Sequence, residues 1–192
     1  MKKFLFFLTI LFMIASCGSS NSSPKEGNKM AEQQGSYQIA TLAGGCIWCV
    51  ESDLEKVPGV VSVVSGYTGG TGKNPTYETY SRGGYVEAVQ VTFDPKIITY
   101  ARLLDVFWRH IDPTDPGGQF VDRGPQYRSA VFYHDEAQKR IAEKSKADLE
   151  KSGRFGKPIV TELIPFAKFY EAEAYHQDYA RENPLRYKYY RY

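Results

Sequence analysis

The sequence has few of the residues that hold metals or build covalent frameworks. Its 192 residues include three cysteines and three histidines. A structural zinc site wants four ligands, and His110, His134 and His176 stand singly, so no metal centre is expected. Three cysteines do not make the disulfide lattice that staples very small secreted folds. A chain of this length buries a core without one. Charge of one sign is also missing. The formal net charge is +2, too little for the basic footprint of a nucleic-acid binder, so no nucleic acid is expected as a partner. There is no internal repeat. Beyond the first residues there is no long apolar run. What the chain has in excess is tyrosine, 15 residues, more than a core needs. Some of these phenols are expected to serve as hydrogen-bond donors in a site.

The amino end is a separate unit. Lys2 and Lys3 precede an apolar stretch, residues 4–14, that is short for a permanent bilayer span of about 20 residues. It ends Ile14-Ala15-Ser16-Cys17, which resembles a bacterial lipoprotein signal. Residues 1–16 then form the signal peptide, and Cys17 is lipidated as the new amino terminus. An ordinary signal peptide with Cys17 incidental is the alternative. Either way the mature protein works outside the cytoplasm. Under the first reading it is an extracytoplasmic, membrane-anchored lipoprotein of the bacterial envelope, touching the membrane through its lipid anchor only. Residues 17–35, rich in Ser, Asn, Gly and Lys, read as a flexible tether. Residues 36–192 form a single domain.

Within that domain the patterns alternate between strand and helix. Residues 37–42 read as a strand delivering the chain to Gly44 and Gly45. A helix from Cys46 ends near Val57, before Pro58-Gly59. Residues 60–66, β-branched and apolar, form a buried strand, and residues 68–82 form a long loop. Residues 85–93 alternate as a strand. Thr99 caps a helix whose buried side carries Leu103, Leu104, Phe107 and Trp108. A second long loop covers residues 110–126, then a strand over 128–133. Asp135 caps a helix that stops at Gly153, and residues 160–164 form another strand. Residues 170–181 read as helical. The aromatic, basic tail Tyr187-Lys188-Tyr189-Tyr190-Arg191-Tyr192 is expected to wrap the body. Two β-α-β units with helices on one face imply an α+β fold. It is a two-layer α/β plait, ferredoxin-like at its core, with added helices and long loops.

The chemistry gathers at Gly44-Gly45-Cys46-Ile47-Trp48-Cys49. Two thiols three apart sit where the helix begins. A helix N-terminus offers free N–H groups and partial positive charge, which lowers a thiol's pKa from about 8.5. Cys46 therefore reads as the activated nucleophile and Cys49 as the thiol that resolves it, since i and i+3 can be bridged with little distortion. A structural disulfide in an exported chain is the alternative, weakened because so short a loop stabilises little. Glu87 shares a strand face with Val89, Val91 and Phe93. A carboxylate there pairs with a cation, or has its pKa raised by desolvation and becomes a candidate acid. A partly solvated Glu at the strand's end is the third reading.

Four motifs in order carry a resemblance: Gly44-Gly45-Cys46-Ile47-Trp48, Asn74-Pro75-Thr76-Tyr77, Glu87-Ala88-Val89 leading to Asp94-Pro95, and Asp122-Arg123-Gly124-Pro125-Gln126-Tyr127-Arg128-Ser129. Together they resemble the A-type peptide methionine sulfoxide reductases, over residues 37–179. The resemblance implies an oxidoreductase that reduces methionine-S-sulfoxide, free or in oxidised proteins, and so repairs them. Cys46 would attack the sulfoxide sulfur and Glu87 would protonate its oxygen. Tyr77 and Tyr127 would hold that oxygen, and Asp122 would order the site. Trp48 would wall in the methyl group, with Ile47 and Gly45 lining the substrate site. The sulfenic acid on Cys46 would condense with Cys49. A thioredoxin-like dithiol would reopen the bridge, with no bound cofactor. The chain is expected to act as a monomer. Three departures stand out. Ile47 replaces a common Phe, Tyr85 replaces a frequent His, and the distal carboxy-terminal cysteines of many members are absent.

Two other functions fit parts of the sequence. A thioredoxin-type thiol–disulfide oxidoreductase also uses CxxC at a helix start, but no proline stands between these cysteines. A tethered binding module would use the tyrosines and glycines as a recognition surface.

Overall fold

A computed structural model of the chain describes residues 37–191. The expected signal peptide and tether, with Cys17, lie outside the described residues. The elements run β1 (Gln38–Gly44), α1 (Ile47–Leu54), β2 (Val60–Thr68), a 3-10 turn (Tyr80–Gly83), β3 (Val86–Phe93) and α2 (Tyr100–His110). A short ribbon follows, β4 (Gly118–Gln119) and β5 (Asp122–Arg123), then β6 (Ser129–Tyr133), α3 (Glu136–Lys151), β7 (Glu162–Pro165) and β8 (Phe169–Glu171). The chain closes with α4 (Tyr179–Glu182) and α5 (Pro184–Arg191).

The main sheet has the order β7-β6-β1-β3-β2-β8. Its inner four strands, β6-β1-β3-β2, are antiparallel neighbours and come from β1-α1-β2 and β3-α2-β6. That is the ferredoxin-like plait expected from the sequence. β7 adds in parallel to β6, and β8 adds antiparallel to β2.

The two faces of the sheet follow strand alternation. Leu42, Val89, Val91, Phe93 and Val131 point to one face. There Val50 and Leu54 of α1 and Leu103, Leu104, Phe107 and Trp108 of α2 pack on them. Ala43, Val86, Ala88, Ala130 and Phe132 point to the other face, covered by Ile164, Phe166 and Phe169. The caps form as expected: Thr99 Oγ1 accepts from the Arg102 N–H, and Asp135 Oδ1 from that of Gln138. Among the described residues no helix is long and apolar enough to cross a membrane.

One element differs. Residues 170–181 do not form a helix but an edge strand, a 3-10 turn (Ala174–His176) and the short α4. β8 pairs with β2 at Gly66, Tyr67 and Thr68. A Cβ on Gly66 would meet the Phe169 ring and the Tyr170 carbonyl oxygen at 2.3 Å, so its absence admits the new strand. Asp178, with φ of 54°, breaks the helical path before α4. Edge pairing and the aromatic pair Phe169-Tyr170 override a helical pattern too weak to hold alone.

Glu51 on α1 is 1 % exposed, and neither carboxylate oxygen has a hydrogen-bond partner among the described residues. Burial raises its pKa from 4.5 to about 7. The folded-state value lies above the unfolded one, so burying the charge destabilises the fold increasingly as pH rises, fully above about 7. Glu51→Gln is therefore expected to raise the unfolding free energy at pH 8 by on the order of 2 kcal/mol, with little change at pH 4. Urea midpoints at the two pH values check this. Equal effects at both would remove ionisation as the cause.

Candidate active site

β1 ends at Gly44, and the chain turns sharply into α1. Gly45 has φ of 86°, and a Cβ there would lie 2.5 Å from the Cβ of Gln119. The second long loop therefore presses directly on the turn that carries Cys46. Cys46 is the N-cap of α1: its carbonyl oxygen accepts from the N–H groups of Cys49 and Val50, at 3.1 and 3.2 Å. The next N–H, that of Ile47, donates to Glu87 Oε2 at 3.0 Å. The Tyr80 hydroxyl donates to Glu87 Oε1 at 2.9 Å. β3 holds Glu87 beneath the helix start, 4 % exposed.

Burial raises the Glu87 pKa to about 7. The Ile47 N–H and Tyr80 O–H oppose the shift, and the nearby charges of Asp122 and Cys49 add to it. Near neutral pH the carboxyl therefore exists substantially as the acid. This answers the three-way reading of Glu87: it is buried, paired with neutral donors rather than a cation, and tuned upward.

A cleft of about 40 Å³ is lined by Cys46, Ile47, Trp48, Tyr77, Glu87, Asp122, Tyr127, His176 and Tyr190. Seven expected site residues thus meet in one small hollow. Trp48 is fixed within it. Its ring stacks on Tyr179 at 3.7 Å between centroids, and its N–H donates to His176 Nδ1 at 3.1 Å. Tyr77 sits at the rim, 43 % exposed, its N–H donating to Glu173 Oε1 at 2.9 Å. The Tyr127 phenol is raised to about 12, chiefly by burial and then by Glu87, so it stays a donor. Asp122, on the β4–β5 ribbon, accepts from the Tyr190 hydroxyl. The Tyr85 hydroxyl donates to the Gly72 carbonyl and pins the first long loop.

Two expectations need correction. Gly45, expected against substrate, does not line the cleft; its role is to let Gln119 approach. The lowered pKa expected of Cys46 belongs to Cys49. The Cys46 thiol is raised because it donates to the Cys49 sulfur, is buried, and faces negative charge from Cys49 and Glu87. Cys49 is lowered to about 7 by that same hydrogen bond and by Arg191. The helix N-terminus does not settle the matter for Cys46, because its Ile47 N–H is already bonded to Glu87.

Cys49 faces away from the small cleft, into a second cavity of about 410 Å³. Cys46, Asp122 and Tyr190 border both hollows. Both thiols are free. No group of three or more potential metal ligands is clustered among the described residues.

Four contributors escaped the sequence reading: Tyr80, His176, Tyr190 and Arg191. Tyr80 carried a usable signal, since a buried Glu87 needs donors and Tyr80 lies three residues beyond Tyr77. Tyr190 and Arg191 carried none, because only the path of the tail brings them here.

The geometry at Gly45 is demanding enough to test. Gly45→Ala is expected to cost about 2 kcal/mol or more of stability, since it combines positive φ with a clash against the base of the Gln119 side chain. Chemical denaturation would read this directly, and a loss below about 0.5 kcal/mol would show that Gln119 moves aside freely.

Residues 38–192 match the family model described as peptide methionine sulfoxide reductase. A Vibrio cholerae protein titled peptide methionine sulfoxide reductase MsrA/MsrB is 60 % identical over 158 residues, covering 81 % of this chain and 42 % of its own length. The chain thus spans less than half of that relative. A Bacillus velezensis protein titled peptide methionine sulfoxide reductase MsrA is 54 % identical over 156 residues, 80 % of this chain and 88 % of its own. Among solved structures, reduced Mxr1 of Saccharomyces cerevisiae aligns with a TM-score of 0.71 at 35 % identity, over 79 % of this chain and 88 % of that one. The same yeast protein, solved in complex with Trx2, aligns at 0.54 and 29 % identity, over 76 % and 86 %. Sequence, fold and the convergence of the four motifs on one cleft agree, and the chain belongs to the peptide methionine sulfoxide reductase family.

Proposed function

We propose that the chain reduces methionine-S-sulfoxide, in oxidised proteins and peptides and also free, to methionine. One observation carries the reading: a buried, upward-tuned carboxyl, Glu87, shares a hollow of about 40 Å³ with Cys46 and an indole wall. A sulfoxide oxygen leaves sulfur readily only when protonated, and a neutral acid backed by phenols supplies that proton. Glu87 gives its proton to the oxygen, with Tyr77 and Tyr127 donating to it. Trp48 offers the methyl group an apolar surface.

The two sulfurs of the reduced pair share one negative charge along their hydrogen bond. A proton hop from Cys46 to Cys49 moves that charge to Cys46, beside the electron-poor sulfur of a substrate. Cys46 then attacks, the oxygen passes to it as a sulfenic acid, and methionine departs. The cysteine sulfur loses two electrons and the methionine sulfur gains them. Cys49 next attacks the sulfenic sulfur, the S–O bond breaks, and water leaves as the disulfide forms. A thioredoxin-like dithiol restores both thiols by exchange. The yeast neighbour solved with Trx2 supports that choice of reductant.

The same reading places the monomeric enzyme outside the cytoplasm, tethered by a lipid on Cys17, with oxidised envelope proteins as substrates. Its support is the amino-terminal sequence: two lysines, a short apolar run, and Ala15-Ser16-Cys17.

Turnover of a methionine-sulfoxide peptide with dithiothreitol is expected, and its persistence in Cys46→Ser would sink the assignment. Glu87→Gln is expected to slow single-turnover methionine release roughly a hundredfold; an unchanged rate would take Glu87 out of the mechanism. Cys49→Ser is expected to release about one methionine per enzyme and then stall with thioredoxin. Sustained thioredoxin-driven cycling would reject Cys49 as the resolving thiol.

A further inference from the structure

We propose that Arg191, on α5, is a further catalytic residue of the resolving step: its guanidinium holds the Cys49 sulfur charged and aimed at Cys46. The proposal rests on the function above for the identity of that step, and on geometry for the residue.

α5 packs its Tyr187, Tyr190 and Arg191 over the start of α1. Arg191 donates to Asp53 Oδ2 at 2.7 Å. Asp53 lies one helical turn beyond Cys49, on the same side of α1, so it fixes the guanidinium beside the cysteine. Cys49, Asp53 and Arg191 all line the cavity of about 410 Å³. The Arg191 guanidinium and the Tyr187 hydroxyl lie near enough to the Cys49 sulfur to favour its charged form.

The rest of the cavity works against a charged sulfur. Asp53, Asp112, Asp115 and Asp122 contribute carboxylates to its wall, and Glu87 lies behind Cys46. Burial of Cys49 opposes ionisation as well. Among the described residues lining this space, Arg191 is the one permanent cation; His110 also lines it, 3.8 Å from Asp53. The favourable hydrogen bond from Cys46 disappears as a thiol bond once Cys46 becomes the sulfenic acid. At that moment, when Cys49 must attack, Arg191 and Tyr187 are the groups left to stabilise the thiolate. The attack forms the S–S bond and expels hydroxide, which takes a proton from solvent and leaves as water.

The test uses the full chain and needs no substrate for its first arm. The reduced protein is alkylated with iodoacetamide across pH, and the Cys49 peptide is followed by mass. In the wild type the midpoint is expected near pH 7. In Arg191→Ala it is expected to move up toward the value of a free cysteine, about 8.5, with the Cys46 hydrogen bond retaining part of the lowering. Arg191→Lys is expected to restore most of the shift. Coincident midpoints in wild type and Arg191→Ala would overturn the proposal, whatever the enzyme's substrate.

The second arm follows disulfide closure after one turnover with methionine sulfoxide, by acid quench. In the sulfenic state the Cys46 hydrogen bond no longer helps, so loss of Arg191 lowers the Cys49 thiolate fraction at neutral pH, while the more basic sulfur regains part of the loss in nucleophilicity. Closure is thus expected to be several-fold slower at pH 7, with the deficit shrinking as the pH rises to 9. A uniform slowing at every pH would mark a merely structural role and refute the assignment. Failure of methionine sulfoxide to oxidise Cys46 at all would instead refute the proposed function, leaving the alkylation result standing.

Discussion

The hydrogen bond from the Ile47 N–H to Glu87 ties the whole site together. It joins residues 40 positions apart, the first turn of α1 and the start of β3. A helix N-terminus has free donors that must be satisfied when buried, and a buried carboxylate needs donors. Each solves the other's problem. The bond places the acid under the nucleophile, orients α1 over the sheet, and limits how far burial can push the carboxyl upward. It also diverts the helix's positive end from the thiol to the acid. Charge on sulfur therefore has to be stabilised from elsewhere.

That source is the carboxy-terminal helix. Tyr190 contacts Cys46 and Asp122, while Arg191 and Tyr187 contact Cys49. The two sulfurs consequently look in different directions. Cys46 borders the small hollow that contains the acid and the indole; Cys49 borders the larger one. An oxygen acceptor and a resolving thiol can then operate in adjoining spaces with different polarity. The first is small and crowded by aromatic rings. The second is rimmed by carboxylates and one guanidinium. Sulfur chemistry that begins with a protonated oxygen and ends with an attacking thiolate needs both environments, within one helical turn.

Much of this could be read beforehand because it depends on short-range pattern. The alternation through Glu87, Val89, Val91 and Phe93 placed the acid on the helix-facing side. The Thr99 and Asp135 caps fixed two helix starts, and two β-α-β units gave the plait. The stretch 170–181 misled because its fate lay with a distant partner, the edge of β2 opened by Gly66. Tyr80 was within reach, being one turn from Tyr77 and near a buried carboxyl. Gly45 was noted for the right property, backbone freedom, but its contact is Gln119 rather than a substrate.

The sequence alone determined the reactive atoms: two thiols three residues apart, a carboxyl on an apolar face, and phenols in separate loops. These follow from residue type and local period, which the chain carries wherever it goes. Only the tertiary structure decided how the protons are distributed among them. Which sulfur keeps its proton depends on burial, on a donor spent elsewhere, and on a guanidinium more than a hundred residues away. None of those is local, and electrostatic energies in a desolvated site are set by distances that only the folded chain defines.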